Sequence, residues 1–202
     1  MINFMEKEYG VIILAAGKSS RLGRPKQSLL YKDSTLLNKM VRTAIATNCG
    51  PVVVVLGSNA EQFITDCESA ITTINENWEQ GMASSIQWGL DTLVNKFPSL
   101  KGVIISVCDQ PYISTEILQQ LIDKHRKSNL PIIASEYSGT MGTPAFFHSS
   151  IFPELMQLEG DKGAQGILQK NKLRVGTIKF PLGKEDIDTA EDYNRLLKTG
   201  LK

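Results

Sequence analysis

Gly17 and Gly23 bracket Lys18, Ser19 and Arg21, and Lys26 follows three residues later. Glycine reaches backbone conformations closed to other residues and lets a ligand come close to the main chain. Successive backbone N–H groups in such a turn form a concave anion site, to which Arg21 and Lys26 add mobile positive charge. The chemistry that fits is a phosphate chain held where the apolar run beginning at Val11 gives way to small residues. A second candidate is Asp109, directly after the apolar run 102–107. A carboxylate there suits Mg²⁺, which takes one or two protein oxygens and leaves the rest of its shell to phosphate and water. An aspartate capping the turn ahead of Pro111 would give the same sequence. The third candidate is the acidic stretch 186–192. Asp188 or Thr189 can cap a helix whose first turn carries Glu191 and Asp192, and the same cap region can face a metal through Asp188.

Two familiar glycine motifs are excluded. A Walker loop needs four residues between its glycines and then Lys followed by Ser or Thr, whereas five separate Gly17 from Gly23 and Arg24 comes next. The dinucleotide fingerprint G-x-G-x-x-G has no match. His125 and His148 have no Ser or Cys nucleophile arrangement beside them and read as structural or exposed, and Cys108 reads as a buried strand residue. Trp78 and Trp88 could stack on a base or pterin, although aromatics near helices more often pack.

The elements that must position these residues follow from hydrophobic patterning. Continuous apolar runs at 52–56 and 102–107, with further strands at 70–74 and 131–135, are what a sheet covered on both faces requires. Between them, apolar spacing places helices at 35–48, 60–66, 82–94 and 114–127, with Asp33 or Ser34 capping the first and Ser114 the last. Such alternation predicts an α/β fold of three layers, a mostly parallel sheet with helices on both faces. Ligands bind at the carboxyl edge of such sheets, where both the first loop and Asp109 fall. Beyond Tyr137 a turn-rich stretch, 138–144, precedes a short strand at 145–147, helices at 151–158 and 162–170, a strand at 173–180 and a closing helix at 189–197.

At 202 residues the chain is long enough for one good core, predicting a single domain over 1–202. A net charge of +1, from 22 Lys+Arg against 21 Asp+Glu, gives no reason to expect a nucleic-acid or membrane surface. No apolar run reaches spanning length, and 1–10 carries charges without an apolar core, so no signal peptide is expected. Cys49, Cys67 and Cys108 are odd in number and widely spaced, which predicts reduced thiols in a cytoplasmic protein.

The segment L-A-A-G-x-S-x-R-L-G-x-x-K is a close variant of the signature of sugar-nucleotide and cofactor nucleotidyltransferases. Nearly end to end, the chain is similar to the family that includes the molybdenum cofactor cytidylyltransferases. The loop matches at Ala15, Ala16, Gly17, Ser19, Arg21, Gly23 and Lys26. The family's D-x-P element appears as Asp109-Gln110-Pro111 and its G-x-P turn as Gly142-Thr143-Pro144. Its G-D-x-G-A segment appears as Gly160-Asp161-Lys162-Gly163-Ala164. The D-I-D-T-P-E-D element spans 186–192, with Ala190 where proline is common; the change softens a helix start but removes no ligand.

The resemblance implies a Rossmann-like nucleotidyltransferase fold with a nucleotide-binding half, about 1–110, and an acceptor-binding half, about 111–202. It implies that Ala15, Ala16, Gly17, Ser19, Arg21, Lys26 and Ser85 bind the nucleotide. Arg21, Lys26 and Asp109 would carry catalysis, and Asp109 with Asp188 would hold Mg²⁺. Gly142, Thr143, Pro144, Asp161, Lys162 and Gly163 would bind the acceptor. Guanylyl-transferring relatives tend to carry A-G-G where this chain has Ala15-Ala16-Gly17, and Ser84-Ser85-Ile86 with Gly89-Leu90 resembles the S-V-x-x-G-L element of cytidylyltransferases, which favours cytosine. The implied reaction is transfer of CMP from CTP to the phosphate of molybdopterin, with a molybdenum hydroxylase apoenzyme as the downstream recipient. The competing readings are guanylyl transfer, another phosphorylated acceptor, and a non-catalytic carrier of the finished cofactor.

Overall fold

The computed structural model describes residues 8–19 and 21–199, and of Lys162 the backbone alone. The charged segment inspected for a leader lies outside these residues as far as position 7. In chain order the elements are β1 (Tyr9–Ala15), β2 (Leu30–Tyr31), β3 (Ser34–Thr35), α1 (Leu36–Ala46), β4 (Val52–Leu56), β5 (Ile71–Ile74), α2 (Met82–Lys96), β6 (Gly102–Val107), α3 (Thr115–Ser128), β7 (Ile132–Tyr137), β8 (Thr140–His148), α4 (Phe152–Leu155), α5 (Gln165–Lys170), β9 (Val175–Lys179) and α6 (Ala190–Thr199).

Seven strands form one sheet in the order β5-β4-β1-β6-β8-β7-β9, while β2 and β3 pair as a separate ribbon. β1 pairs in parallel with β4 and β6, β4 with β5 and β7 with β9. β8 is antiparallel to both its neighbours, so it alone runs against the rest of the sheet. Both faces are buried. Val11, Ile13 and Ala15 pack with Leu37, Met40 and Val41 of α1 and Leu118, Leu121 and Ile122 of α3. On the opposite face Ile12 and Leu14 pack with Ile86, Leu90 and Leu93 of α2, Leu155 of α4 and Ile167 and Leu168 of α5. Period-two alternation puts successive residues of β1 on opposite faces, so a helix-covered strand needs both sets apolar. Gly89 lets α2 come close to the sheet: a Cβ there would overlap Ile12 and Val55.

The expected three-layer α/β architecture is present, with four local differences. Thr35, not Asp33 or Ser34, caps α1, its hydroxyl accepting from the Asn38 amide at 3.1 Å, because Ser34 and Thr35 are held by the ribbon to Leu30 and Tyr31. The helix expected at 60–66 is two 3₁₀ turns, Ala60–Phe63 and Thr65–Cys67. The helices expected at 151–158 and 162–170 shorten to Phe152–Leu155 and Gln165–Lys170, each preceded by a 3₁₀ turn. The turn-rich stretch 138–144 belongs largely to β8, a nine-residue strand between β6 and β7. No disulfide joins the three cysteines. Among the described residues no helix is long and apolar enough to cross a membrane.

Candidate active site

The loops that leave β1, β5 and β6 emerge at one edge of the sheet because those strands are co-directional. Leu14 sits opposite Val107 in the register, so the glycine loop and Asp109 emerge side by side. Asp188 arrives from far along the chain: the Ile187 amide donates to the Asp109 carbonyl at 3.0 Å, which fixes the 186–189 segment against the end of β6. The lining of the resulting cleft, about 500 Å³ in volume, includes Ala15, Ala16, Gly17, Ser19, Arg21, Lys26, Ser85, Asp109, Asp161 and Asp188.

Within the glycine loop the side chains shape the backbone as much as they line the cleft. Ser19, at φ 56°, accepts a bond from the Lys26 amide on its hydroxyl at 3.1 Å, and its carbonyl accepts from the Leu22 amide at 3.1 Å. Nothing lies within 4 Å of where a Cβ on Gly17 would point, which leaves its backbone approachable. Arg24 lies over the Tyr193 ring at 5.0 Å, and the Tyr193 hydroxyl donates to the Leu30 carbonyl at 2.7 Å. α6 therefore clamps the far side of the loop.

The charges converge on one atom. Lys26 Nζ lies 2.9 Å from Asp109 Oδ2 and 2.5 Å from Asp188 Oδ1, with its side chain only 16% exposed. Arg21 lies 3.6 Å from Asp188 and is 78% exposed. Burial works against the Lys26 charge, but the Asp109 and Asp188 carboxylates outweigh it and hold its pKa above the ordinary lysine value. Asp186, beside them, has its carboxyl pushed up to about 6 by burial and then by the neighbouring Asp109 and Asp188 charges. Among the described residues no group of three or more His, Cys, Asp or Glu gathers to hold a metal. Two hard oxygen donors aimed at one cationic point are nevertheless the protein share that Mg²⁺ or Mn²⁺ ordinarily takes, so the donor set fits a divalent cation.

The remaining predicted residues separate. Ser85 is 4% exposed and its hydroxyl accepts from Asn75 Nδ2 at 3.1 Å. Asp161 packs against Gly81, at φ 103° the residue before α2, and Gly163 against Met82, which brings the 160–163 turn to the amino end of α2 and the wall of the cleft. The Lys162 side chain lies outside the described residues. Gly142, Thr143 and Pro144 are not brought to the cleft lining: Gly142 backs onto the Tyr137 ring. Thr143 Oγ1 donates to Gln110 Oε1 at 3.4 Å, and the Pro144 carbonyl accepts from Ser135 Oγ at 2.7 Å. Trp78 lines the cleft, whereas the Trp88 indole donates to Thr73 Oγ1 at 2.8 Å. His125 and His148 stack 5.5 Å apart and neither lines the cleft. Burial pushes the Cys108 thiol far above its usual range, which makes it a poor nucleophile.

Two buried amides escape sequence reasoning. Gln27, 2% exposed, donates from Nε2 to the carbonyls of Ala15 at 2.6 Å and Gly17 at 3.2 Å. Its Oε1 is buried without a partner among the described residues. Asn75, fully buried, donates to Ser84 and Ser85 and accepts from the Asn77 amide at 2.9 Å. It thereby sets the turn that leads into α2. The only signal for either is a carboxamide next to a strand end or motif lysine, too common to single out.

The family model of the MobA-like NTP transferase domain matches residues 11–175, most of the chain and all of the sheet edge except the Asp188 segment. The chain belongs to that family. As a MobA-like NTP transferase it is a nucleotidyltransferase by family. It is 30% identical over 199 residues to nicotine blue oxidoreductase of Paenarthrobacter nicotinovorans, a match covering 92% of this chain and 95% of that one. It superposes on Rv0371c from Mycobacterium tuberculosis H37Rv with a TM-score of 0.82 and 29% identity, over 95% of this chain and 97% of the other. A manganese complex of Rv0371c aligns with a TM-score of 0.79 and 26% identity, over 95% and 99% of the two chains.

Proposed function

We propose that this MobA-like NTP transferase transfers CMP from CTP to the phosphate of molybdopterin, releasing pyrophosphate. The observation that carries the reading is the meeting of Lys26, Asp109 and Asp188 at the mouth of the glycine loop. These groups suit charge neutralisation along a triphosphate and call for no protein nucleophile. The acceptor needs no strong base either: the second pKa of a phosphate monoester is about 6, so near neutrality it is already mostly a dianion. One of its oxygens attacks the α-phosphorus of CTP as the bond to the β-phosphate oxygen breaks, and the electron pair leaves on pyrophosphate. Arg21, Lys26 and the loop amides hold the charge that develops on the leaving group, and rigid placement of both reactants supplies alignment. Asp109 and Asp188 would hold Mg²⁺, which when bound neutralises triphosphate charge.

Choice of cytosine rests on Ala15-Ala16-Gly17 and on Ser85, a residue of the cleft lining whose hydroxyl accepts from Asn75. In this reading the nucleotide occupies the half built by about 1–110 and the acceptor the half built by about 111–202, with Asp188 crossing between them. Asp161 and Gly163 are the acceptor residues nearest the cleft, and Lys162 belongs to the same turn. Gly142, Thr143 and Pro144 act behind Gln110, supporting the acceptor side from outside the lining. The product would pass to a molybdenum hydroxylase apoenzyme in the cytoplasm. The test is transfer of label from α-phosphate-labelled CTP to purified molybdopterin with pyrophosphate released in equal amount, run beside labelled GTP. Transfer from GTP alone would overturn the choice of base. Cofactor binding without transfer from either would replace the enzyme with a carrier.

A further inference from the structure

We propose that Lys26 is a removable counter-ion whose ammonium occupies the point between Asp109 and Asp188 that a divalent cation takes, so that triphosphate binding opens the metal site. The inference rests on reading the cleft as a triphosphate and metal site. Its basis is geometric: one Nζ reaches two carboxylates from widely separated segments, Asp109 and Asp188, at 2.9 and 2.5 Å. An ammonium is a compact point charge on a flexible four-carbon stem, so it can stand where a small cation would and can also leave. The backbone of Lys26 is pinned by Ser19 Oγ at 3.1 Å, which confines the exchange to the side chain. Lys26 lines the same cleft as Gly17, Lys18 and Ser19, so the alternative partner for its charge is a phosphate seated in the loop. Arg21, paired with Asp188 among the described residues and largely in water, is not in the way.

Two cations cannot share one pair of oxygens at these distances without strong repulsion. A metal alone must therefore displace Lys26 with nothing to receive its charge. A triphosphate receives it, and the two carboxylates are then exposed to the metal. By linkage, the tightening of metal by nucleotide equals the tightening of nucleotide by metal, and part of that coupling runs through Lys26.

The experiment titrates Mn²⁺ into the protein without nucleotide, read by the electron paramagnetic resonance of free Mn²⁺, and repeats it with CTP. Wild type is compared with Lys26→Met, Lys26→Gln and Arg21→Met, each checked for folding by circular dichroism. Gln keeps a hydrogen-bonding group between the carboxylates should Met unfold the chain. The expected result is that either Lys26 variant binds Mn²⁺ alone about ten-fold more tightly than wild type, within the usual span of site coupling. CTP then tightens Mn²⁺ less than it does in wild type. Arg21→Met, which also removes a cation near Asp188, is expected to leave Mn²⁺ affinity within about three-fold of wild type because that pair is exposed and screened. Equal Mn²⁺ affinity in wild type and both Lys26 variants, with CTP still promoting Mn²⁺ binding, would overturn the counter-ion and leave the proposed function standing. An equal gain in Arg21→Met would also overturn it, reducing the effect to net charge. Absence of Mn²⁺ binding in every protein with and without CTP would overturn both.

Discussion

Lys26 was conspicuous in the sequence because it follows a glycine-bracketed run, yet its partners are Asp109 and Asp188, 83 and 162 positions away. Lys26→Ala is expected to lower kcat by about 10²–10³, the usual loss when one donor to developing charge is removed, with the fold retained by circular dichroism; wild-type turnover would remove it from the mechanism. Asp186 makes a second test. Its folded pKa of about 6 lies above the ordinary 3.8. The associated stability is present at low pH and lost as pH rises through about 6. Asp186→Asn stays neutral and should stabilise above pH 6 while changing nothing below about pH 4. The Asp186 carboxyl is shielded by its neighbours while the residue as a whole keeps solvent access, so the gain is discounted for solvent screening to about 1 kcal/mol, a rise in Tm of about 2–4 °C. A loss of Tm at pH 8 would contradict the penalty that burial and the Asp109 and Asp188 charges place on the ionised Asp186 carboxylate. Charged residues at loop ends announce themselves in a sequence. Gln27 does not, because its bonds to the Ala15 and Gly17 carbonyls exist only once the chain turns back on itself.

At the scale of elements, the strands buried on both faces were legible because continuous apolar runs as short as Val52–Leu56 are what a sheet covered on both sides requires. β8 was not. Its first residues, 140–144, belong to a stretch of turn composition, but Ala134 pairs with Ala145 and Ser135 with Gly142, so Thr143 and Pro144 fall in a bulge where the ladder asks nothing of them. A bulge is where an interior strand tolerates proline. The start of α6 was legible only as a choice. Asp192 Oδ2 accepts from the Thr189 amide at 2.9 Å, and Thr189 Oγ1 accepts from the Asp192 amide at 3.2 Å, which makes Thr189 the cap and leaves the Asp188 carboxylate for Lys26. Thr189→Ala is expected to cost about 1 kcal/mol, lowering Tm by about 2–4 °C, and to reduce activity further by loosening Asp188. Unchanged Tm and activity would show that the cap does not position the carboxylate.

At the scale of the molecule, co-directional strands bring the ends of β1, β5 and β6 to one edge, and the return of the chain after β9 completes the site with Asp188. The edge could be inferred from alternating elements, but the closure could not, since it depends on the Ile187 amide meeting the Asp109 carbonyl. This edge is expected to bind a triphosphate together with a divalent cation and to prefer cytosine. That expectation is tested most directly by calorimetric titration with CTP, GTP, UTP and ATP, each with and without Mg²⁺. CTP binding tightest, and only with Mg²⁺ at full strength, is the predicted result. Preference for GTP would contradict the choice of base, and binding of no triphosphate under either condition would contradict the nucleotidyl-transfer reading altogether.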